Sequence, residues 1–276
     1  MNVLIVGLGL MGGAYAQRLI KKDYKVYGFD VNNDAIIYAY EHKYIINNVT
    51  PIEELIIKAD LIILCIYPQA ILNFLEKYHT YFNEKQIITD ICGVKSSFIN
   101  EATKIAMPAI YCSHHPMAGR EKIGIKFSSE CIFEDANFLI TPLENTPKEV
   151  VDVIKKLGSD LGFVRITSIS YLKHDKMIGF TSQLTHAIAV SLVNSDHDSD
   201  TKNYIGDSYR DLTRIAMINE NLWSELFLEN KDFLLEHIKS FEYELDLLKD
   251  ALANNDKQAL KELFKSSTKI RRGMEK

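Results

Sequence analysis

Val3-Leu4-Ile5-Val6-Gly7-Leu8-Gly9-Leu10-Met11-Gly12 decides how this 276-residue chain is read. An unbroken apolar run ends in Gly7-x-Gly9-x-x-Gly12, and a helical pattern over Met11–Ile20 follows directly. In a strand–turn–helix setting such glycines permit a tight turn and let the backbone approach a pyrophosphate, while the helix N-terminus supplies amide donors and a favourable dipole. The glycine motif alone is weak, and it gains weight from its context. The second strand pattern closes at Tyr27-Gly28-Phe29-Asp30, placing a carboxylate where it accepts hydrogen bonds from ribose hydroxyls and repels a 2′-phosphate. No Arg or Lys lies between Val31 and Tyr40 to reverse that preference. The cofactor expected is NAD, held by Gly7, Leu8, Gly9, Leu10, Met11, Gly12 and Asp30.

Outward from this turn, short apolar runs alternate with helical patterns. Val3–Val6, Lys25–Phe29, Leu61–Cys65, Ile87–Thr89, Ile110–Ser113, Phe138–Ile140 and Phe163–Ile166 read as strands. Leu61-Ile62-Ile63-Leu64 is apolar throughout, as expected of a strand covered on both faces of a mostly parallel sheet. Thr50 before Pro51 and Thr146 before Pro147 read as helix N-caps. Residues 1–166 are therefore expected to form a doubly wound α/β domain of Rossmann type.

Residues 167–276 lack strand patterns and read as an all-helical second domain. Ser170–Val193 is one long helical candidate with Asp175, Gly179, Ser182 and His186 along a stripe. Asn194–Asn203 reads as a polar loop. Leu234, Ile238, Phe241, Leu245, Leu248 and Leu252 form a heptad seam. Asn254-Asn255-Asp256 breaks that helix, and Asp256 can cap another. An apolar seam on a helix this long needs a partner, which predicts a homodimer through the helical domain.

Composition bounds the function. Hydrophobic residues at 47% and charged residues at 25% are ordinary for a globular enzyme, and the net charge of −5 disfavours nucleic acid as the main partner. No apolar run reaches the roughly 20 residues of a membrane span. The chain opens directly into a strand, with no charged leader, so a cytoplasmic enzyme is expected. Cys65, Cys92, Cys112 and Cys131 form no CxxC pair, which argues against a metal site. Cys65 reads as a small core residue, whereas Cys92 and Cys112 fall beside candidate site residues.

Two further segments suggest chemistry. His115-Pro116-Met117-Ala118-Gly119 follows a strand pattern, so His115 is expected at the carboxyl edge where ligands of open α/β sheets gather. An imidazole there can accept a hydroxyl proton as hydride leaves the same carbon. The adjacent His114 reads as a packing residue. Tyr209-Arg210-Asp211-Leu212-Thr213-Arg214-Ile215-Ala216 supplies guanidinium groups suited to a carboxylate.

Together with Glu121 and Trp223, these three segments resemble the prephenate dehydrogenase family, the oxidising enzymes of tyrosine biosynthesis. The resemblance spans most of the chain, and the HP-x-AG and RD-x-TRIA segments carry more of it than the glycine turn. It implies NAD-dependent oxidative decarboxylation of prephenate to 4-hydroxyphenylpyruvate, or of its amino counterpart arogenate. It implies His115 as the base, Arg214 as the carboxylate clamp, and Glu121, His186 and Trp223 on the substrate side. Arg210 is expected in a surface or intersubunit ion pair, and Asp211 in support of Arg214 or its own helix. With the chain ending at Lys276 after the helices, no added regulatory α/β module and no fused mutase are expected.

Three positions depart from the family pattern. Gly93 stands where the family often has a serine before the Val-Lys pair, placed to hydrogen-bond the catalytic histidine or the substrate hydroxyl; either a water, Ser96 or the nicotinamide amide takes over that contact, or turnover is slower. Ser182-Gln183-Leu184-Thr185-His186 keeps only the last histidine of a two-histidine segment. Asp207-Ser208 replaces paired glycines. Two other readings fit less: a 3-hydroxyacid dehydrogenase would rely on Lys173 or Lys176, which lack a supporting motif, and a non-catalytic NAD sensor has only Gly93 in its favour.

Overall fold

Side-chain alternation along β1 (Asn2–Val6) builds the first layer. Val3 and Ile5 enter one apolar core and Leu4 and Val6 the other, on opposite faces of the sheet. β1 pairs in parallel with β2 (Lys25–Phe29) on one side and β3 (Leu61–Leu64) on the other; β4 (Ile87–Asp90) and β5 (Ile110–Tyr111) extend the sheet in the order β2-β1-β3-β4-β5. The order reverses between β1 and β3, and ligands of such sheets bind at the carboxyl ends beside that point. α1 (Leu10–Ile20), α2 (Asn33–Glu41) and α6 (Lys148–Leu161) cover one face, while α3 (Ile52–Lys58), α4 (Pro68–Tyr78) and α5 (Ile99–Ile105) cover the other. The computed structural model describes residues 1–119 and 122–274.

The strand expected over Ile110–Ser113 divides between two sheets. Cys112 still donates its amide to Ile88 O at 2.9 Å, but Ser113 begins β6 (Ser113–Pro116), which pairs antiparallel with β7 (Asn137–Thr141). β8 (Arg165–Ser168) then adds in parallel to β7. The sheet is thus five parallel strands plus a mixed three-stranded sheet, because residues 113–116 find a full antiparallel partner that the short β5 lacks. His115 consequently lies within β6, opposite Leu139, rather than in a turn after a strand.

Three local expectations shift in register. α3 and α6 are capped by Pro51 and Pro147, not by the threonines before them. Thr50 Oγ1 instead donates to Asn48 O, and Thr146 Oγ1 accepts from Leu143 N, each closing the preceding turn. α6 ends in a left-handed Gly162, so Phe163 reaches the core from a turn and β8 starts at Arg165.

The long helical candidate is realised as α7 (Tyr171–Ile178), a π-helical turn over Gly179–Gln183, and α8 (Leu184–Asn194). Ser170 Oγ accepts from Lys173 N at its start. α9 (Asp207–Thr213) and α10 (Glu220–Glu229) follow, then α11 (Lys231–Ala253) and α12 (Lys257–Arg272). Asp256 caps α12 by accepting from Gln258 N and Ala259 N, as its sequence position suggests. By compactness the chain divides into Met1–Asn230 and Lys231–Lys276. Among the described residues no helix is long and apolar enough to cross a membrane.

Candidate active site

Gly7 sits at φ +92°, and a Cβ there would fall 2.5 Å from the Cys65 carbonyl oxygen. At Gly12 it would fall 1.9 Å from the Gly7 carbonyl oxygen, so neither glycine can be replaced without moving backbone. Around Gly9, by contrast, an added Cβ meets nothing within 4 Å: the space above the turn is open. Gly9 also heads α1 without any side-chain cap, leaving the first helical amides directed at that space. Leu8 and Leu10 turn their side chains into the core, which leaves backbone to form the cradle, with Met11 packed at its edge. Asp30 accepts from Leu8 N at 2.6 Å and from Asn32 N at 2.8 Å, fixing its carboxylate beside the turn. An open cradle of backbone amides with a pinned acid beside it suits the pyrophosphate and ribose of a dinucleotide.

The tip of β4 and the start of β6 meet next to this cradle. Asp90 and Lys95 form a fully buried ion pair at 2.7 Å. Lys95 Nζ also donates to the His114 carbonyl oxygen at 2.9 Å, and Asp90 accepts from Tyr111 OH at 2.6 Å and from Cys92 N at 2.8 Å. Burial alone would raise the Asp90 carboxyl, but the Lys95 ammonium and these hydrogen bonds hold it below the usual carboxylate range. The backbone entering His115 is therefore clamped from below.

His114 and His115 point to opposite sides of β6 and do different work. His114 is wholly buried, stacked on Phe138, with its ring nitrogens 2.8 Å from Tyr15 OH and 2.6 Å from Thr89 Oγ1. Burial, reinforced by Lys95, lowers it to about 3, so it is a neutral packing residue that ties α1 to β6. His115 keeps part of its surface exposed, and its Nδ1 lies 2.9 Å from Nε2 of His174. His174 Nδ1 lies 2.6 Å from Asp175 Oδ1, and Asp175 accepts from the amides of Lys95 (3.0 and 3.1 Å) and Ser96 (2.6 Å). Burial first, then the Lys95 ammonium, keep His115 well below the ordinary imidazole value, hence in its proton-accepting form at neutral pH.

The His174–Asp175 pair escapes a reading of the sequence. Asp175 stands out only as one member of a helical stripe, and His174 not at all. The single available signal is an adjacent histidine and aspartate at the start of an otherwise amphipathic helix.

On the helical side, His186 and Trp223 come together, their rings stacked at 3.7 Å, and Phe227 meets Trp223 edge-on. α10, which carries Trp223, reaches the end of the first sheet: Glu225 accepts from Gln69 N at 2.8 Å and Asn219 donates to Tyr67 OH at 3.2 Å. A Cβ on Gly93 would lie 3.7 Å from both His115 Cε1 and the Leu226 methyls, so α10 and His115 approach the same point beside Gly93. Arg214 opens a short 3-10 turn after α9 that packs against α8, the helix of His186. Arg210 pairs with Asp207 at 3.0 Å on the surface. Glu121 lies outside the described residues.

Cys92 and Cys112 are buried, and burial pushes both thiols up to about 12, which leaves them unreactive. Among the described residues no cluster of His, Cys, Asp or Glu is arranged to hold a metal ion.

A parallel sheet with a dinucleotide cradle, followed by helices of which α10 brings Trp223 and its stacked His186 towards the sheet's end, defines an NAD-dependent dehydrogenase. The family model "Prephenate dehydrogenase, nucleotide-binding domain" matches residues 14–167, and "Prephenate dehydrogenase, dimerization domain" matches residues 171–266. The chain belongs to the prephenate dehydrogenase family. It is 28% identical to prephenate dehydrogenase of Bacillus subtilis over 99% of its own length and 76% of that protein's. It is 30% identical to cyclohexadienyl dehydrogenase of Zymomonas mobilis over 98% of its length and 94% of that protein's. Its structure resembles that of Aquifex aeolicus prephenate dehydrogenase in complex with hydroxyphenyl propionate and NAD+, with a TM-score of 0.90, 29% identity, and coverage of 100% and 98% of the two chains.

Proposed function

We propose that this chain oxidises and decarboxylates prephenate with NAD, giving 4-hydroxyphenylpyruvate, and that His115 is its base. The observation that carries this is the neutral His115, clamped at the sheet edge beside the dinucleotide cradle and within reach of α10. Gly7, Gly9, Gly12 and the backbone from Leu8 to Met11 hold the pyrophosphate, and Asp30 holds the ribose. NAD, when bound, accepts the hydride from the ring carbon that bears the hydroxyl. His115 takes up the hydroxyl proton as that carbon is oxidised. The bond to the ring carboxylate breaks, its electron pair enters the ring, CO2 leaves, and the phenol oxygen recovers its proton. Aromatisation makes the reaction irreversible.

Arg214 stays charged and offers two parallel donors, so it is assigned to a substrate carboxylate. His186, Trp223 and Glu121 are assigned to the substrate side, with the stacked His186–Trp223 pair as a wall. The bound dinucleotide and hydroxyphenyl ligand of the Aquifex aeolicus structure support the same reading.

We further assign residues 1–166 to cofactor binding and 167–276 to substrate binding and dimerisation. Phe241, Leu245 and Leu252 of the heptad seam remain substantially exposed in the single chain, and a two-fold partner would cover them. The four free thiols suit a reducing, cytoplasmic compartment. The test is NADH formation on mixing the protein with NAD and prephenate, with arogenate, 3-hydroxyacids and NADP as the comparisons. Turnover is expected with prephenate and NAD; turnover of the 3-hydroxyacids alone would replace the assignment.

A further inference from the structure

We propose that His174 and Asp175 are positioning residues that lock His115 in the tautomer whose Nε2 is bare, so that one defined atom accepts the substrate proton. The inference rests on the assignment of His115 as the base. It follows from hydrogen-bond polarity read from the anionic end. Both Asp175 oxygens accept from main-chain amides of Lys95 and Ser96, so the carboxylate is held ionised and acceptor-only. Burial would raise it, but the His174 contact and the Ser96 amide keep it below its ordinary value.

A carboxylate at 2.6 Å requires a proton on His174 Nδ1. His174 is itself buried and disfavoured as a cation, so its Nε2 carries no proton and can only accept. At 2.9 Å from that lone pair, His115 Nδ1 must be the donor. Its Nε2 is then the one ring atom left to act as a base. When His115 gains the substrate proton, the same Nδ1–H···Nε2 bond stabilises the imidazolium, with Asp175 as the remote counter-charge.

The surroundings favour a dedicated device. Among the described residues, the other charged or titratable groups packed around His115 are His114, which is neutral and already bonded on both nitrogens, and Lys95, whose ammonium is matched by Asp90. Neither can set the His115 tautomer. Asn230 donates to the Asp175 carbonyl oxygen at 3.0 Å and to Gln183 Oε1 at 2.6 Å, fixing the backbone that carries the pair.

Two experiments test this. Nitrogen-15 spectra of the ring nitrogens in wild-type protein, without substrate, should show His115 protonated on Nδ1 with a bare Nε2, and His174 protonated on Nδ1. His115 protonated on Nε2 would overturn the proposal, and this readout stands whether or not prephenate proves to be the substrate. In turnover, His174→Phe should lower kcat by at least about tenfold, bounded by the roughly 10²–10⁴-fold a positioned base supplies. It should leave KM for NAD unchanged and move the acidic limb of the kcat/KM profile to lower pH. His174→Gln, whose side-chain oxygen can still accept from His115, should restore kcat to within a few-fold of wild type and return the limb. Equal impairment of the two variants with an unmoved limb would mean that His174 only packs.

Discussion

A guanidinium beside a substrate carboxylate makes a prediction that a merely structural arginine does not. Arg214→Gln should raise KM for prephenate and leave KM for NAD almost unchanged. A charged hydrogen bond is worth about 1.5–3 kcal/mol, so the expected rise is roughly 10- to 150-fold, read from initial rates. Equal loss of NAD affinity would place Arg214 in the cofactor site or the fold instead. Arg214 and His115, the proposed clamp and base, stand out in the sequence because each sits in a short motif that resembles the family's. His174 does not, since nothing in Tyr171-Leu172-Lys173-His174-Asp175 says that the histidine is buried or faces a residue 59 positions away. Burial and partner come from the approach of α7 to β6, which no local pattern encodes.

At the scale of elements, glycine spacing and apolar runs made β1, the cofactor turn and α1 readable, because both signals are local. The hand-over from β5 to β6 was not readable, since a strand's partner is a long-range choice and Ile110–Ser113 is equally extended in either sheet. The π-helical turn between α7 and α8 likewise leaves helical periodicity almost intact while inserting one residue into the ladder. These elements also share a liability to acid. His114 and His174 are buried neutral, and His114 is lowered to about 3 from an ordinary value of about 6.5. Between those values the unfolded chain binds a proton that the folded chain refuses, so stability is full above about pH 6.5 and falls as pH drops. For His114 the slope is about 1.4 kcal/mol per pH unit. Asp90 and Asp175, whose folded carboxyls are lowered, add a further loss below about pH 4. Urea midpoints should therefore decline steadily from pH 7 to pH 4, and equal midpoints at pH 7 and pH 5 would contradict the buried neutral histidines.

For the whole molecule, the proposed homodimer rests on the α11 seam. Leu234 is buried, yet Leu245 is 51% and Leu252 56% exposed in the single chain, a pattern that suits an obligate two-fold interface, commonly above roughly 2,000 Å². Light scattering at micromolar concentration should give about twice the 31.6 kDa chain mass. Leu245→Asp should lower the melting temperature and kcat together, and a monomer with normal turnover would rule the dimer out as a functional requirement.

The central claim, that a neutral His115 drives NAD-linked oxidation and decarboxylation of prephenate, is tested most directly by His115→Asn. Wild-type protein should form one NADH and one CO2 per prephenate consumed. The variant should bind NAD as before while kcat falls by roughly 10²–10⁴-fold, the contribution of a positioned base. A variant that turns over at close to the wild-type rate would contradict the account, as would wild-type protein that leaves NAD unreduced.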